Sequence, residues 1–227
     1  MQNSDGPSDT SKAEACRPRG RPRGRPRAFD RDAALAQAMK LFWLKGYEAT
    51  SIADLTEAMS IGSPSLYAAF GCKEALYVEA LRHYERSYEG RVWAGFRAAP
   101  TAEGAIAALL FDSAAALTGG VADIPPGCMV TLATVDCEAH RDLGDLVRAA
   151  RTVTFARLKE RLERGVAEGE MPAGADCEGI ARFVQTVQTG MSLLARDGTS
   201  GSELQVVAAL AVAGVKARLA LAEPEAG

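Results

Sequence analysis

Residues 50 to 70 read Thr50-Ser-Ile-Ala-Asp-Leu-Thr-Glu-Ala-Met-Ser-Ile-Gly-Ser-Pro-Ser-Leu-Tyr-Ala-Ala-Phe70, and this stretch decides the fold. Ser51-Ile-Ala-Asp54 has capping-box form, in which the serine and the acid three residues on satisfy each other's free backbone N–H groups. Ile52, Leu55 and Met59 then form an apolar stripe at helical spacing. Ser60-Ile-Gly62 breaks the period, and a second short helix starts at Ser63-Pro64. Proline is tolerated in a first helical turn because its missing N–H costs nothing there. Two short helices joined by a tight turn make a helix-turn-helix, whose second member enters the major groove of DNA.

Upstream, Asp30 is suited to cap a helix on which Leu35, Ala38, Met39 and Phe42 share a face, with Gly46 as the stop. Downstream the chain stays helical. Leu76, Ala80, Leu81 and Tyr84 continue a long fourth helix that ends at Ala99-Pro100, and Thr101 caps a fifth to Leu117. Gly119-Gly120 and Pro125-Pro-Gly127 bound a loop. Cys128 to Cys137 predicts a short apolar helix, Asp142 to Glu168 a long amphipathic one, and Asp176 to Arg196 and Ser202 to Leu221 two final helices. The expected fold is all-α, about nine helices with no strand. A basic arm (1–28) precedes a three-helix helix-turn-helix domain (29–75) and a larger helical domain (76–227).

The 227 residues carry a net charge of −3, which does not by itself suggest a nucleic-acid partner. Its distribution does. Cys16 to Ala28 holds six arginines and no acid, whereas Phe29 to Ala80 holds four basic residues against seven acidic ones. The arm repeats arginine, proline and glycine from Arg17 to Arg27; prolines keep it extended and glycines let it lie close to a surface. Arg19, Arg21, Arg23 and Arg25 are therefore candidates for the minor groove, where narrow A·T-rich segments carry enhanced negative potential. The Pro18-Arg-Gly-Arg-Pro22 core is similar to an AT-hook.

Five cysteines at irregular positions read as free thiols. The polar first twelve residues lack the apolar segment of a signal peptide, and the longest apolar run, Val206 to Val215, is too short for a bilayer, so a cytoplasmic protein without membrane contact is expected. No G-x-S-x-G, Walker A or H-E-x-x-H pattern occurs, so neither enzyme nor cofactor is expected. Cys128, Cys137 and His140 together are a weak match to a soft-metal set without a fourth ligand, and no metal site is assigned.

Leu41-Phe42, Gly46-Tyr47-Glu-Ala-Thr-Ser-Ile52, Asp54-Leu55, Leu66-Tyr67, Phe70 and Lys73-Glu-Ala-Leu76 fall in an order and spacing that resembles the DNA-binding domain of TetR-type bacterial regulators, over about residues 28 to 80. The resemblance implies a repressor that binds a palindromic double-stranded operator as a homodimer and leaves it in response to a small molecule or redox signal. It implies that Ser63, Pro64, Ser65 and Tyr67 form the recognition face, that Thr50 at the start of the second helix touches phosphate, and that Lys73 opens the fourth helix near the DNA backbone; Ser51 is a further DNA-binding candidate. Gly62, Ser63, Pro64, Ala68 and Ala69 stand where relatives often carry polar or basic residues, so the arm is expected to compensate for a weak core. The other reading of the arm is an architectural A·T-binding protein.

The same resemblance implies that the last two helices pair with their copies in a second subunit, with Phe183, Val187, Met191, Val207 and Leu210 as interface candidates. Trp93, Phe96, Phe111, Met129, Phe155 and Gln188 are candidates to line a pocket for the inducer. Cys128 joins them because it follows Pro125-Pro-Gly127 at a helix start, where backbone N–H groups favour a thiolate; the alternative is that it fills a tight helix contact.

Overall fold

The computed structural model describes residues 30–119, 124–133, 135 and 139–221, apart from the side chain of Glu89. Among the described residues the chain is all helical, with no strand. The described residues form nine helices: α1 (Arg31–Lys45), α2 (Ile52–Ala58), α3 (Ser63–Phe70), α4 (Lys73–Ala98), α5 (Ala102–Leu117), α6 (Met129–Leu132), α7 (Arg141–Ala167), α8 (Cys177–Arg196) and α9 (Gly201–Ala220).

Local chemistry sets the first three. Asp30 accepts from the Asp32 and Ala33 N–H groups at 3.0 and 3.1 Å and so starts α1. Gly46 ends it at φ 80°, its N–H turned back to the Phe42 carbonyl at 2.8 Å. The Ser51–Asp54 capping box is complete at the head of α2, with N–H to side-chain distances of 2.9 and 3.0 Å. Lys45 bonds the same Asp54 carboxylate at 2.8 Å, which holds its pKa well below the ordinary range.

These helices close around Leu35, Met39, Phe42, Leu55, Leu66 and Phe70, joined from α4 by Leu76, Tyr77 and Ala80. Burying each such leucine or phenylalanine contributes about 1.5–3 kcal/mol. The arrangement does not stop at the head of α4: Met129, Val130 and Ala133, around α6, and Leu143 and Val147 of α7 complete the same core. A second core centres on α5, buried at Ala102, Ala105, Ile106, Leu109, Leu110 and Ala114 against Leu158 and Leu162 of α7, Ile180 and Val184 of α8, and Leu204, Ala208 and Val215 of α9. Alanines along α5 let four helices approach it closely. Cys128 packs against both cores.

The expected helix over 128–137 is shorter than its apolar run. Among the described residues of this stretch helical structure covers Met129–Leu132 and not Ala133 or Val135, and Cys137 lies outside the described residues. The Arg151 guanidinium of α7 takes up the Val130 and Thr131 carbonyls at 3.1 and 3.3 Å and also bonds the Ala133 carbonyl, giving the helix end side-chain partners in place of a further turn.

Candidate DNA interface and ligand cavity

α3 is divided into two faces. Leu66 and Phe70 are buried as its anchor, while Ser63, Pro64, Ser65 and Tyr67 are exposed on the other side, Tyr67 at 48%. The turn before it is made by Ser60 at φ 53° and Gly62. A short anchored helix with four outward side chains, two of them hydroxyls and one a phenol, can offer hydrogen bonds and apolar contact to base edges in a groove.

Thr50 corrects an expectation. It is fully buried, its hydroxyl donating to the Gly46 carbonyl at 2.6 Å, so in this conformation it ties the end of α1 to α2 and presents nothing to phosphate. Ser51 is exposed, with its hydroxyl engaged in the capping box. Lys73 is the first residue of α4, and its ammonium lies 4.3 Å from the centre of the Tyr47 ring. Burial lowers its pKa, opposed by the nearby Glu48 carboxylate. Arg31 is paired with Glu79 at 2.6 Å and stacks over Phe70 at 4.4 Å. The cations of this domain are thus largely engaged within it. Arg19, Arg21, Arg23 and Arg25 lie outside the described residues.

A cavity of about 480 Å³ opens between α4, α6, α7 and α8, within the usual range of small-molecule sites. Of the side chains expected there, Trp93, Cys128 and Gln188 line it. The other four do not. Phe96 is buried edge-on behind Trp93 at 5.0 Å, Met129 is buried in the N-terminal core, Phe155 lies under the Arg182 guanidinium at 3.8 Å, and Phe111 is 40% exposed on the outer side of α5. The sequence reading missed Tyr84, Tyr88, Arg151, Arg157 and Ser192. Tyr84, Tyr88 and Trp93 recur at four- and five-residue spacing on α4, the signal that could have found this aromatic wall.

Cys128 sits at the inner end, its N–H donating to the Ser192 hydroxyl at 2.8 Å and its sulfur accepting from the Tyr84 phenol at 3.2 Å. Burial, then the neighbouring thiol, raise the Tyr84 pKa well above its ordinary value, so the phenol stays a donor. Gln188 donates to the buried Ser113 hydroxyl at 2.9 Å. Among the described residues no His, Cys, Asp and Glu side chains cluster as a metal set. His140 is instead engaged by Glu74 at 2.7 Å, joining the heads of α7 and α4.

On α8 and α9 an apolar face is left uncovered. Phe183 and Leu194 of α8 and Val206 and Leu210 of α9 are exposed, Leu210 at 69%, while Val187 and Val207 are half-buried. Met191 does not belong with them: at 1% exposure it points into the chain's own core, because α8 carries one apolar stripe inward and another outward. No helix of the described residues is long and apolar enough to cross a membrane.

Residues 34–80 match the model of a family described as bacterial regulatory proteins, tetR family. The chain is 37% identical over 182 residues to the HTH-type transcriptional repressor ComR of Escherichia coli strain K12, covering 79% of this chain and 86% of that protein. The chain belongs to the TetR family. Another TetR-type relative, the HTH-type transcriptional repressor BdcR of the same strain, is 31% identical over 201 residues, covering 83% of this chain and 90% of its own length. Among solved structures, a cysteine mutant of the TetR family transcriptional regulator CifR, complexed with 26-base-pair double-strand operator DNA, is 42% identical with a TM-score of 0.78; the match covers 83% of this chain and 98% of that one. The matched residues 34–80 include α2 and α3, the helix-turn-helix of this TetR-family chain.

Proposed function

We propose that this TetR-family protein is a transcriptional repressor that binds a palindromic operator as a homodimer and is released when a small molecule or a thiol-directed signal occupies the cavity beside Cys128. The observation that carries the reading is α3, whose buried Leu66 and Phe70 hold Ser63, Pro64, Ser65 and Tyr67 outward as a rigid reading face. The 42% identical relative complexed with operator DNA supports DNA binding by this chain.

Residues 1–28 act as the arm, 29–75 as the reading domain and 76–227 as the sensing and dimerising part. The arm supplies the electrostatic attraction that a reading domain with more acids than bases lacks. The uncovered apolar face of α8 and α9 supports pairing with a second copy, whose two-fold axis would match the palindrome. Selection of bound duplexes from a random pool by the full chain tests the reading. A recovered inverted repeat, bound by two protomers, supports it; recovery of A·T-rich sequence without a repeat overturns it in favour of an architectural role for the arm.

A further inference from the structure

The last carbonyls of α1 have no partner within the helix. Two of them are taken by a side chain more than 150 residues away: Arg196, at the end of α8, donates to the Trp43 carbonyl at 2.6 Å and the Leu44 carbonyl at 3.0 Å. Its Nε donates at 3.2 Å to the Pro126 carbonyl, two residues before Cys128. One planar guanidinium therefore joins α1, α8 and the loop that leads to the cavity. Its fixed fork of donors makes this a geometric tie, which a lysine point charge would not reproduce.

The same residue of α1 is reached from the cavity by a second route. The buried Trp43 ring stands edge-on to Tyr84 and Tyr88, with ring centres 4.9 and 5.7 Å away, and both tyrosines line the cavity. Its indole N–H has no hydrogen-bond partner, so the ring is held by packing and by its backbone, which Arg196 engages. On α8, Ser192 lines the cavity one helical turn before Arg196 and holds the Cys128 N–H. The approach there is tight: a Cβ on Gly127, at φ +82°, would meet the Ser192 carbonyl oxygen at 2.8 Å. Movement of α8 is therefore passed to this loop and to Arg196 together.

We propose that Trp43 and Arg196 form the joint through which the state of the cavity sets the position of α1, and with it the helix-turn-helix. The proposal rests on the repressor reading above and adds where its two halves are coupled. Arg196 is a positioning residue: it does not line the cavity, and it acts through the carbonyls of Trp43, Leu44 and Pro126. A molecule that spreads α4 from α8 moves the tyrosine wall and the guanidinium apart, and Trp43 cannot follow both.

A double-mutant cycle on operator affinity tests this without knowledge of the inducer. Thr154→Trp fills the cavity from α7. In the otherwise unaltered full chain it should weaken operator binding about tenfold, an ordinary allosteric coupling. In the Arg196→Met background, which keeps the aliphatic stem, the same substitution should change affinity by less than about twofold. Melting and circular dichroism check the fold; if Arg196→Met does not fold, Arg196→Lys takes its place, with an intermediate factor expected. In Trp93→Phe, Trp43 is the only tryptophan left, and Thr154→Phe should shift its emission when Arg196 is present. An unchanged tenfold factor in both backgrounds would make Arg196 a stability tie only and overturn the joint. No effect of Thr154→Trp on a tightly binding chain overturns the cavity's control of DNA binding, and the joint with it. Failure of the unaltered chain to bind any operator overturns the repressor reading itself.

Discussion

Tyr84 on α4 donates its phenol hydrogen to the sulfur of Cys128 across the inner end of the cavity, at 3.2 Å. This pair links the aromatic wall of α4 to the residue that packs against both hydrophobic cores.

A serine at position 128 keeps an acceptor for that phenol and most of the volume. Cys128→Ser should therefore bind operator within about a factor of two of the unaltered chain. Iodoacetamide, which adds bulk to the thiol, should release the unaltered chain from operator and leave Cys128→Ser bound. Equal release of both, followed by fluorescence anisotropy of labelled operator, would show that Cys128 is only a packing residue.

The exposed stripe on α8 and α9 makes a second expectation. Phe183 and Leu210 face away from the chain's own core, so Phe183→Glu with Leu210→Glu should leave the helical circular dichroism spectrum unchanged, while melting falls only by what association contributes. The same charges would be buried unpaired in a dimer, which is costly. Light scattering at micromolar concentration should give a dimer for the unaltered chain and a monomer for the variant, with operator affinity falling in step. Met191→Ala should instead cost about 2–5 kcal/mol of protomer stability, as a cavity in a packed core does.

α3 separates stability from reading. Leu66→Ala removes its anchor and should cost about 2–5 kcal/mol by denaturant unfolding. Tyr67→Ala lies on the exposed face and should change stability by less than about 0.5 kcal/mol. Competition between the operator and half-site variants should nevertheless show weaker discrimination in Tyr67→Ala. Unchanged discrimination would remove Tyr67 from the reading face.

The arm carries the electrostatic expectation. Deleting residues 1–25 removes five of its six arginines. Operator affinity should fall strongly, and the slope of log K against log salt should flatten by about 0.9 for each phosphate that the arm no longer neutralises. Preference for A·T pairs flanking the operator should fall too, while half-site preference survives. An unaltered affinity, slope and flank preference would leave the arginines as a solvated tail.

What the sequence disclosed, and what it withheld, follows from the range of the interactions. Asp30, Gly46 and the Ser51–Asp54 box act on their own neighbours, so the bounds of α1 and α2 could be read from residue type. The outward face of α3 was implied by the family resemblance, not by spacing, since a helix of eight residues is too short for its period to show which side is anchored. Thr50 was misplaced because its type suits phosphate contact, while the carbonyl that engages it, that of Gly46, becomes available only where α1 ends. α6 ends short of its apolar run because Arg151, from another helix, takes its carbonyls. Met191 and Phe183 are both apolar on one helix, and periodicity does not say which of two stripes faces the protomer's own core. The cavity is a space between four helices, so aromatic content found Trp93 but could not separate it from Phe96, which packs behind it.

Reading of a defined palindrome by α3, with attraction added by the arm, is the core of the proposed function. It is tested most directly by the affinity of the full chain, at physiological salt, for the selected palindrome and for a duplex of identical composition and A·T flanks with both half-sites shuffled. A preference of at least about a thousandfold for the palindrome is expected, with two protomers bound. Equal affinity for the two duplexes would contradict it, and would mean that the chain recognises A·T-rich DNA through its arginines alone.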